Sequence, residues 1–123
     1  MLNNYERIIV TGGLGFIGSA LCRLLVQKYK TQVLNIDYFS YASTEGSTRE
    51  ISEDKLYNLS KTDICDREAI KVLFDEFQPS AVIHLAAESH VDRSIIDASS
   101  FVRSNVIGTV NLLSVALSYW RGL

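Results

Sequence analysis

The sequence predicts an α/β domain built on a doubly wound parallel sheet, and two observations predict it. Short apolar runs alternate with segments whose apolar residues recur at helical spacing. The first of these runs ends in glycines that open directly into a helical pattern. Alternation of this kind implies parallel strands covered on both faces, and right-handed crossovers restrict the topology to a doubly wound sheet.

"RIIVTGG" (residues 7–13) reads as a buried strand. Ile17, Leu21, Leu24, Leu25 and Tyr29 then fall on one side of a helix and form its expected apolar face. "QVLNID" (residues 32–37) is a second strand. The polar stretch "YASTEGSTREISED" follows without clear periodicity, and "KLYNLSKTD" (residues 55–63) is a third strand. Ile70, Leu73, Phe74 and Phe77 mark the next helix, with Asp66 as its N-cap and Pro79 ending the connection. "SAVIHLAA" (residues 80–87) is the fourth strand. A last helix runs from about Ala98 to Trp120 with Asp97 as candidate cap; it carries no charge from Ser104 onward and is apolar on more than one side. A helix of that kind needs cover on more than one side, so the domain is expected to be incomplete at its C-terminus.

The composition suits one soluble globular domain: 123 residues, 47% hydrophobic and 21% charged. A net charge of −2 without a block of like charge argues against nucleic acid or an anionic membrane as partner. The N-terminus has no basic stretch ahead of an apolar core, so no signal peptide is expected. The longest apolar stretch is broken by Gly108, Asn111, Ser114 and Ser118 and is not a membrane span. Cys22 and Cys65 form no CxxC pair and no zinc spacing; they read as thiols in a reducing cytoplasm, and no metal site is expected.

"TGGLGFIG" sets Gly12, Gly15 and Gly18 at three-residue intervals between a strand and a helix. Glycines allow a sharp turn and close backbone approach to a pyrophosphate, whose charge suits the free N–H groups of a helix start. Gly18 is expected to let the helix pack closely. The other reading is a tight turn without a ligand. Asp37 ends the second strand, where a carboxylate can accept both ribose hydroxyls of an adenosine and repel a 2′-phosphate. Together these favour a Rossmann-type fold that binds NAD rather than NADP, although Asp is also common as a strand-end turn residue.

"HLAAESHVDRS" (residues 84–94) holds both histidines of the chain directly after its most apolar strand. In an open α/β sheet the ligand crevice lies beyond the carboxyl ends of the strands, which is where this loop falls. His84, inside an apolar strand, reads as a core histidine with a satisfied ring. Two readings stand for His90, Asp92 and Arg93: a local salt-bridged loop that shapes a pocket, or direct substrate contact.

The glycine spacing, "DICD" (residues 63–66) and "HLAAES" together resemble the extended short-chain dehydrogenase/reductase family. "HLAAESHVDRS", with "YA" at Tyr41–Ala42, "QP" at Gln78–Pro79, "SNVIGT" and the closing "YW", is similar to the dTDP-glucose 4,6-dehydratases within it. The resemblance covers nearly all of the chain. It implies that residues 1–123 are the NAD-binding Rossmann-type portion of a lyase that acts on the sugar nucleotide dTDP-glucose. The reaction it implies is C4 oxidation, loss of water across C5 and C6, and hydride return to C6.

The same resemblance implies roles for individual residues. Phe16 and Ile17 would lie by the pyrophosphate, with Gly12, Gly15 and Gly18. Asp37, Tyr38, Phe39 and Ser40 would line the adenosine ribose, and Asp63 and Ile64 the adenine. Leu85, Ala86, Ala87, Glu88 and Ser89 would run along the nicotinamide half, with Ser89 also reaching the sugar. Ser104 stands near the cofactor where the family usually has threonine. Homodimers paired through the 99–120 helix, and a cytoplasmic location, are implied as well. This chain departs from the family at Ser43-Thr44, where Gly-Asn is usual, and at Ala98, where proline is usual.

No catalytic residue is expected within this chain. The family's Thr-Asp-Glu run and helical Tyr-x-x-x-Lys pair belong further along. Tyr57-x-x-x-Lys61 matches the second pattern, but on a strand those residues lie about 13 Å apart; on a helix they are neighbours. Two other readings remain open: a related enzyme acting on a UDP-sugar (an epimerase, decarboxylase or dehydratase), and a catalytically silent nucleotide-binding module.

Overall fold

The computed structural model describes residues 6–38, 45–86, 99 and 103–123, without the side chains of 45–47 and 104. The chain divides into two compact units: Met1–Lys61 with Pro79–Ala86, and Thr62–Gln78 with Ala87–Leu123.

The first unit is organised on four parallel strands, β1 (Arg7–Thr11), β2 (Gln32–Ile36), β3 (Tyr57–Ser60) and β4 (Ala81–His84). Their order in the sheet is β3-β2-β1-β4. The chain steps outward from β1 to β3 and then returns to the other side of β1, the reversal that defines a doubly wound sheet. Thr11 is level with Ile36 on one side and with His84 on the other, so three strands end together. Ile8, Val10, Val33 and Tyr57 of these strands form one buried cluster with Cys22, Leu25, Val26 and Ile51.

Helix α1 (Phe16–Arg23) continues into a wider, π-type turn at Leu24–Lys28. Its buried face differs from the expected one. Ile17 and Leu24 are exposed, whereas Gly18, Ser19 and Cys22 are buried, followed by Leu25 and Val26. The physical reason lies at Gly18: a Cβ there would run into the carbonyl of Gly12, so the side of α1 nearest the glycine turn must carry small residues. Positions 18, 22 and 25 then share one face.

The polar stretch without periodicity contains 3₁₀ turns at Glu45–Ile51, kinked at Thr48. Thr48 and Ile51 are its buried residues, three apart as a 3₁₀ repeat requires. β3 is shorter than expected, with Tyr57 buried and Asn58 and Leu59 facing solvent. β4 ends at His84 rather than at residue 87, although the Leu85 N–H still reaches the Thr11 carbonyl at 3.0 Å.

In the second unit, α2 (Arg67–Phe77) begins as expected: Asp66 Oδ1 accepts the Ala69 N–H at 3.2 Å. It stops at Gln78, which is left-handed with φ 55°. Helix α3 (Gly108–Arg121) follows a π-type turn at Arg103–Ile107. Phe74 of α2 meets Tyr119 and Trp120 of α3 edge-on, with ring centroids 5.6 and 6.2 Å apart. α3 is apolar on more than one side, as expected: Leu112 and Val115 are buried, while Val110, Leu113 and Leu117 are exposed. Asp97 and Ala98, at the expected start of this helix, lie outside the described residues.

Candidate functional site

In the first unit the ends of β1, β2 and β4 bring together the glycine turn, Asp37 and the segment Leu85–Ala86. Thr11 joins two of these. Its Oγ1 accepts the N–H groups of Leu85 and Ala86 at 3.1 and 3.2 Å, and lies 2.6 Å from His84 Nδ1. A hydroxyl has two acceptor sites and one hydrogen. Where Oγ1 receives both N–H groups its hydrogen is left for Nδ1, an arrangement that requires the neutral His84 tautomer protonated on Nε2; the Leu85 N–H is shared with the Thr11 carbonyl at 3.0 Å. Burial lowers the His84 pKa, which favours that neutral ring. His84 has the satisfied ring expected of it but is half-buried at the strand end rather than in the core.

Gly12 follows directly, with φ +74°. A Cβ at Gly12 would stand 2.7 Å from Ala86 N and 2.8 Å from both Ala86 Cα and the Leu85 carbonyl carbon. Positive φ and close backbone approach both demand glycine here. The close approach is to the chain leaving β4, at the point where the strand order reverses.

The amides of the glycine turn are then used internally. Gly12 N–H donates to the Ile36 carbonyl (2.9 Å) and Gly15 N–H to that of Gly12 (3.1 Å). Gly13 N–H donates to Asn35 Oδ1 (2.8 Å) and Leu14 N–H to Asp37 Oδ2 (3.0 Å). The N–H groups of Phe16 and Ile17, the first two of α1, have no acceptor among the described residues. The first turn of α1 holds no acidic side chain. The capacity to bind an anion therefore lies in the first turn of α1, where the amides of Phe16 and Ile17 stand. Both side chains stand out from the surface, Phe16 93% and Ile17 68% exposed, while Asp37 is only 6% exposed and Tyr38 60%.

Asp63 and Ile64 belong to the second unit. Asp63 Oδ1 accepts the Cys65 N–H at 2.9 Å, and Oδ2 lies 3.7 Å from the exposed guanidinium of Arg103, an ion pair of little energetic weight. Ile64 is buried, and Gly108 packs so closely against it that a Cβ at Gly108 would meet its side chain. Phe39, Ser40, Ala87, Glu88 and Ser89 lie outside the described residues, as do His90, Asp92, Arg93 and the departures at Ser43 and Thr44. Of Ser104 only the backbone is described, in the turn before α3.

Tyr57 is a strand residue with a buried ring, and its hydroxyl accepts a hydrogen bond from Asn35 Nδ2 at 2.9 Å. Burial raises its pKa, the wrong direction for a base acting near neutrality. Tyr57 thus opens a strand that ends before Lys61, and the two do not form a helical pair. Burial also pushes the Cys22 thiol up to about 12, which leaves it unreactive. Among the described residues no group of His, Cys, Asp or Glu is arranged to hold a metal, and no helix is long and apolar enough to cross a membrane.

Sequence reasoning missed Thr11, Gly13 and Asn35. Asn35 carried a usable signal: a polar residue inside an apolar buried strand must find partners, and it lies two positions from Asp37, on the same face of β2.

The family model described as GDP-mannose 4,6 dehydratase matches residues 9–122. The chain belongs to the GDP-mannose 4,6 dehydratase family. Among members of this kind, it is 50% identical over 116 residues to the dTDP-glucose 4,6-dehydratase of Haemophilus influenzae, covering 94% of this chain and 34% of the relative. The solved dTDP-glucose 4,6-dehydratase of Streptomyces venezuelae, with NAD bound, superposes with a TM-score of 0.84 at 36% identity, over 92% of this chain and 36% of that one. The UDP-glucose 4-epimerase of Thermotoga maritima, solved with UDP-glucose, gives 0.81 at 28% identity, over 92% and 34%. The chain thus spans about a third of the length of these relatives and has their Rossmann-type α/β fold. The resemblance read from "HLAAESHVDRS" leads to the same family.

Proposed function

We propose that this chain is the NAD-binding portion of a dTDP-glucose 4,6-dehydratase. The observation that carries this reading is the amide pattern at the glycine turn. Four consecutive N–H groups are bound internally, while those of Phe16 and Ile17 are left at an acid-free helix start beside Asp37. That arrangement fits a dinucleotide. Phe16 and Ile17 would hold the pyrophosphate, and Asp37 the adenosine ribose, with a preference for NAD because a carboxylate repels a 2′-phosphate. Leu85 and Ala86, at the reversal of strand order, would flank the nicotinamide half. When bound, the cofactor would supply the acceptor for hydride from the sugar.

The dehydratase reading is supported by 50% sequence identity to the Haemophilus influenzae dehydratase; among the solved structures the Streptomyces venezuelae dehydratase is 36% identical and the epimerase 28%. Two further parts of the proposal are homodimerisation and a cytoplasmic location. Val106, Val110, Leu113 and Leu117 of the second unit form an exposed apolar stripe at alternating four- and three-residue spacing, suited to a partner helix. The free thiols of Cys22 and Cys65 suit a reducing compartment.

The test is calorimetric titration of the purified protein with NAD and with NADP. Clear preference for NAD is expected. Binding of neither dinucleotide would refute the cofactor reading, and equal affinity for both would refute the role given to Asp37.

A further inference from the structure

Asn35 is fully buried, so a bound dinucleotide would not touch it. It is nevertheless tied to the glycine turn more closely than any other side chain of β2. Its Oδ1 accepts the Gly13 N–H at 2.8 Å, and its Nδ2 donates to the Tyr57 hydroxyl at 2.9 Å. Gly13 sits so near that a Cβ there would overlap the Asn35 amide. The orientation of that amide follows from chemistry: an N–H can only donate, so the amide oxygen must face Gly13 and the NH₂ must face Tyr57. The Tyr57 hydroxyl is also hydrogen-bonded to the Thr48 side chain. A buried polar chain thus runs from the 3₁₀ turns through β3 and β2 to the glycine turn.

Just past the end of β2, Asp37 holds the next amide, that of Leu14. Asn35 and Asp37 therefore grip two consecutive N–H groups of the turn. Those grips fix the direction in which the chain enters α1, and so where the Phe16 and Ile17 amides point. An apolar side chain at position 35 could fill the same space, but it would leave the buried Gly13 N–H without an acceptor and the turn free to rotate.

We propose that Asn35, locked by Tyr57, is a positioning residue for pyrophosphate binding, acting on a ligand it does not touch through the Gly13 amide. The inference rests on the cofactor reading above and adds a determinant of affinity outside the binding surface. Deleting the Tyr57 oxygen takes away the acceptor of the buried Asn35 NH₂, so the amide is held from the Gly13 side alone and is freer to turn away from it.

The experiment is titration of the purified protein and its Tyr57→Phe and Asn35→Leu variants with NAD, ADP-ribose and adenosine. NAD and ADP-ribose carry the pyrophosphate; adenosine has only the part facing Asp37. Tyr57→Phe is expected to weaken NAD and ADP-ribose about fivefold, the equivalent of one net hydrogen bond, with adenosine unchanged. Asn35→Leu is expected to weaken both further, again sparing adenosine. If Asn35→Leu fails to fold, Tyr57→Phe, which loses one oxygen, carries the test alone. Equal loss for all three ligands would reduce the relay to a contribution to stability and overturn the proposal. Unchanged NAD affinity in Tyr57→Phe would overturn it too. Failure of the unmutated protein to bind NAD would instead refute the cofactor reading on which the inference rests.

Discussion

The Thr11 hydroxyl lies 2.6 Å from Nδ1 of His84 and joins the carboxyl ends of β1 and β4 through side chains as well as through the ladder. The same oxygen accepts the N–H groups of Leu85 and Ala86, which favours Nδ1 as the acceptor of its hydrogen. Protonating His84 would set donor against donor.

Stability should therefore depend on pH in a defined direction. Burial lowers the folded-state pKa of His84 below its ordinary value of 6.5. Below pH 6.5 the unfolded chain takes up a proton that the folded chain refuses, so stability rises with pH through this window and is complete above it. It is lost as pH falls toward the folded pKa. Urea midpoints measured between pH 5 and 8 should show this slope, and it should flatten in His84→Gln. A slope identical in wild type and variant would remove His84 as its source.

Gly12→Ala should be far more damaging than Gly15→Ala. At Gly12 a methyl group would face both the left-handed strain, about 1–2 kcal/mol, and the Ala86 backbone. At Gly15 φ is −75°, and the nearest atom to an added Cβ, the Gly12 carbonyl oxygen, is 3.4 Å away. We expect Gly12→Ala to cost at least about 2 kcal/mol and Gly15→Ala less than about 1 kcal/mol in denaturant unfolding. Similar losses at both sites would mean that the turn can yield at Gly12.

What the sequence made legible, and what it hid, follows from the range of each interaction. β1 and β2 were visible because burial on both faces leaves uninterrupted apolar runs such as "IIV". Asp66 was visible as a cap because its partner, the Ala69 amide, is three residues away. The buried face of α1 was not, because it is set by the close contact of Gly18 with Gly12, which forces small residues where periodicity favours Ile17. Nor was the role of Asn35: its partners, Gly13 and Tyr57, each lie 22 residues away and become neighbours only when three segments meet at one end of the sheet. The 3₁₀ turns at Glu45–Ile51 were missed because two buried residues three apart, in a polar stretch, give almost no periodic signal.

Asp37 has two jobs, and a conservative substitution should separate them. Its carboxylate accepts the Leu14 N–H and is proposed to discriminate against a 2′-phosphate. Asp37→Asn keeps an acceptor for Leu14 but removes the charge. It should narrow the preference for NAD over NADP by about five- to tenfold, the scale of one lost charge repulsion at short range. Asp37→Ala should in addition weaken NAD itself, because the Leu14 amide loses its acceptor. Calorimetry that found the preference unchanged in Asp37→Asn would assign discrimination to another group.

Association should run through the apolar stripe of the second unit. Leu113 is 64% and Leu117 53% exposed, so a charge at either position leaves the buried side of α3 untouched. If the proposed homodimer forms there, Leu113→Asp and Leu117→Asp should each yield monomers by light scattering with unaltered helix content. Dimers that persist in the double variant would exclude this face.

Catalysis should require more of the protein than these residues. Hydride removal from a sugar hydroxyl needs a base for its proton, matched to the working pH. Tyr57 does not meet that need: its hydroxyl is bonded to Asn35, its pKa is raised by burial, and Lys61 follows it beyond the end of a strand. His84 is engaged with Thr11 through Nδ1. Elimination of water further needs an acid and a base set on either side of the sugar, and this chain spans only about a third of the length of its relatives. We therefore expect this chain by itself to form no 4-keto product from dTDP-glucose and NAD, and a protein continued to the length of its relatives to form it, read by the alkaline absorbance of the product. Product formed by this chain alone, and abolished by Tyr57→Phe, would return Tyr57 to the chemistry and overturn its assignment as a strand residue that positions the glycine turn.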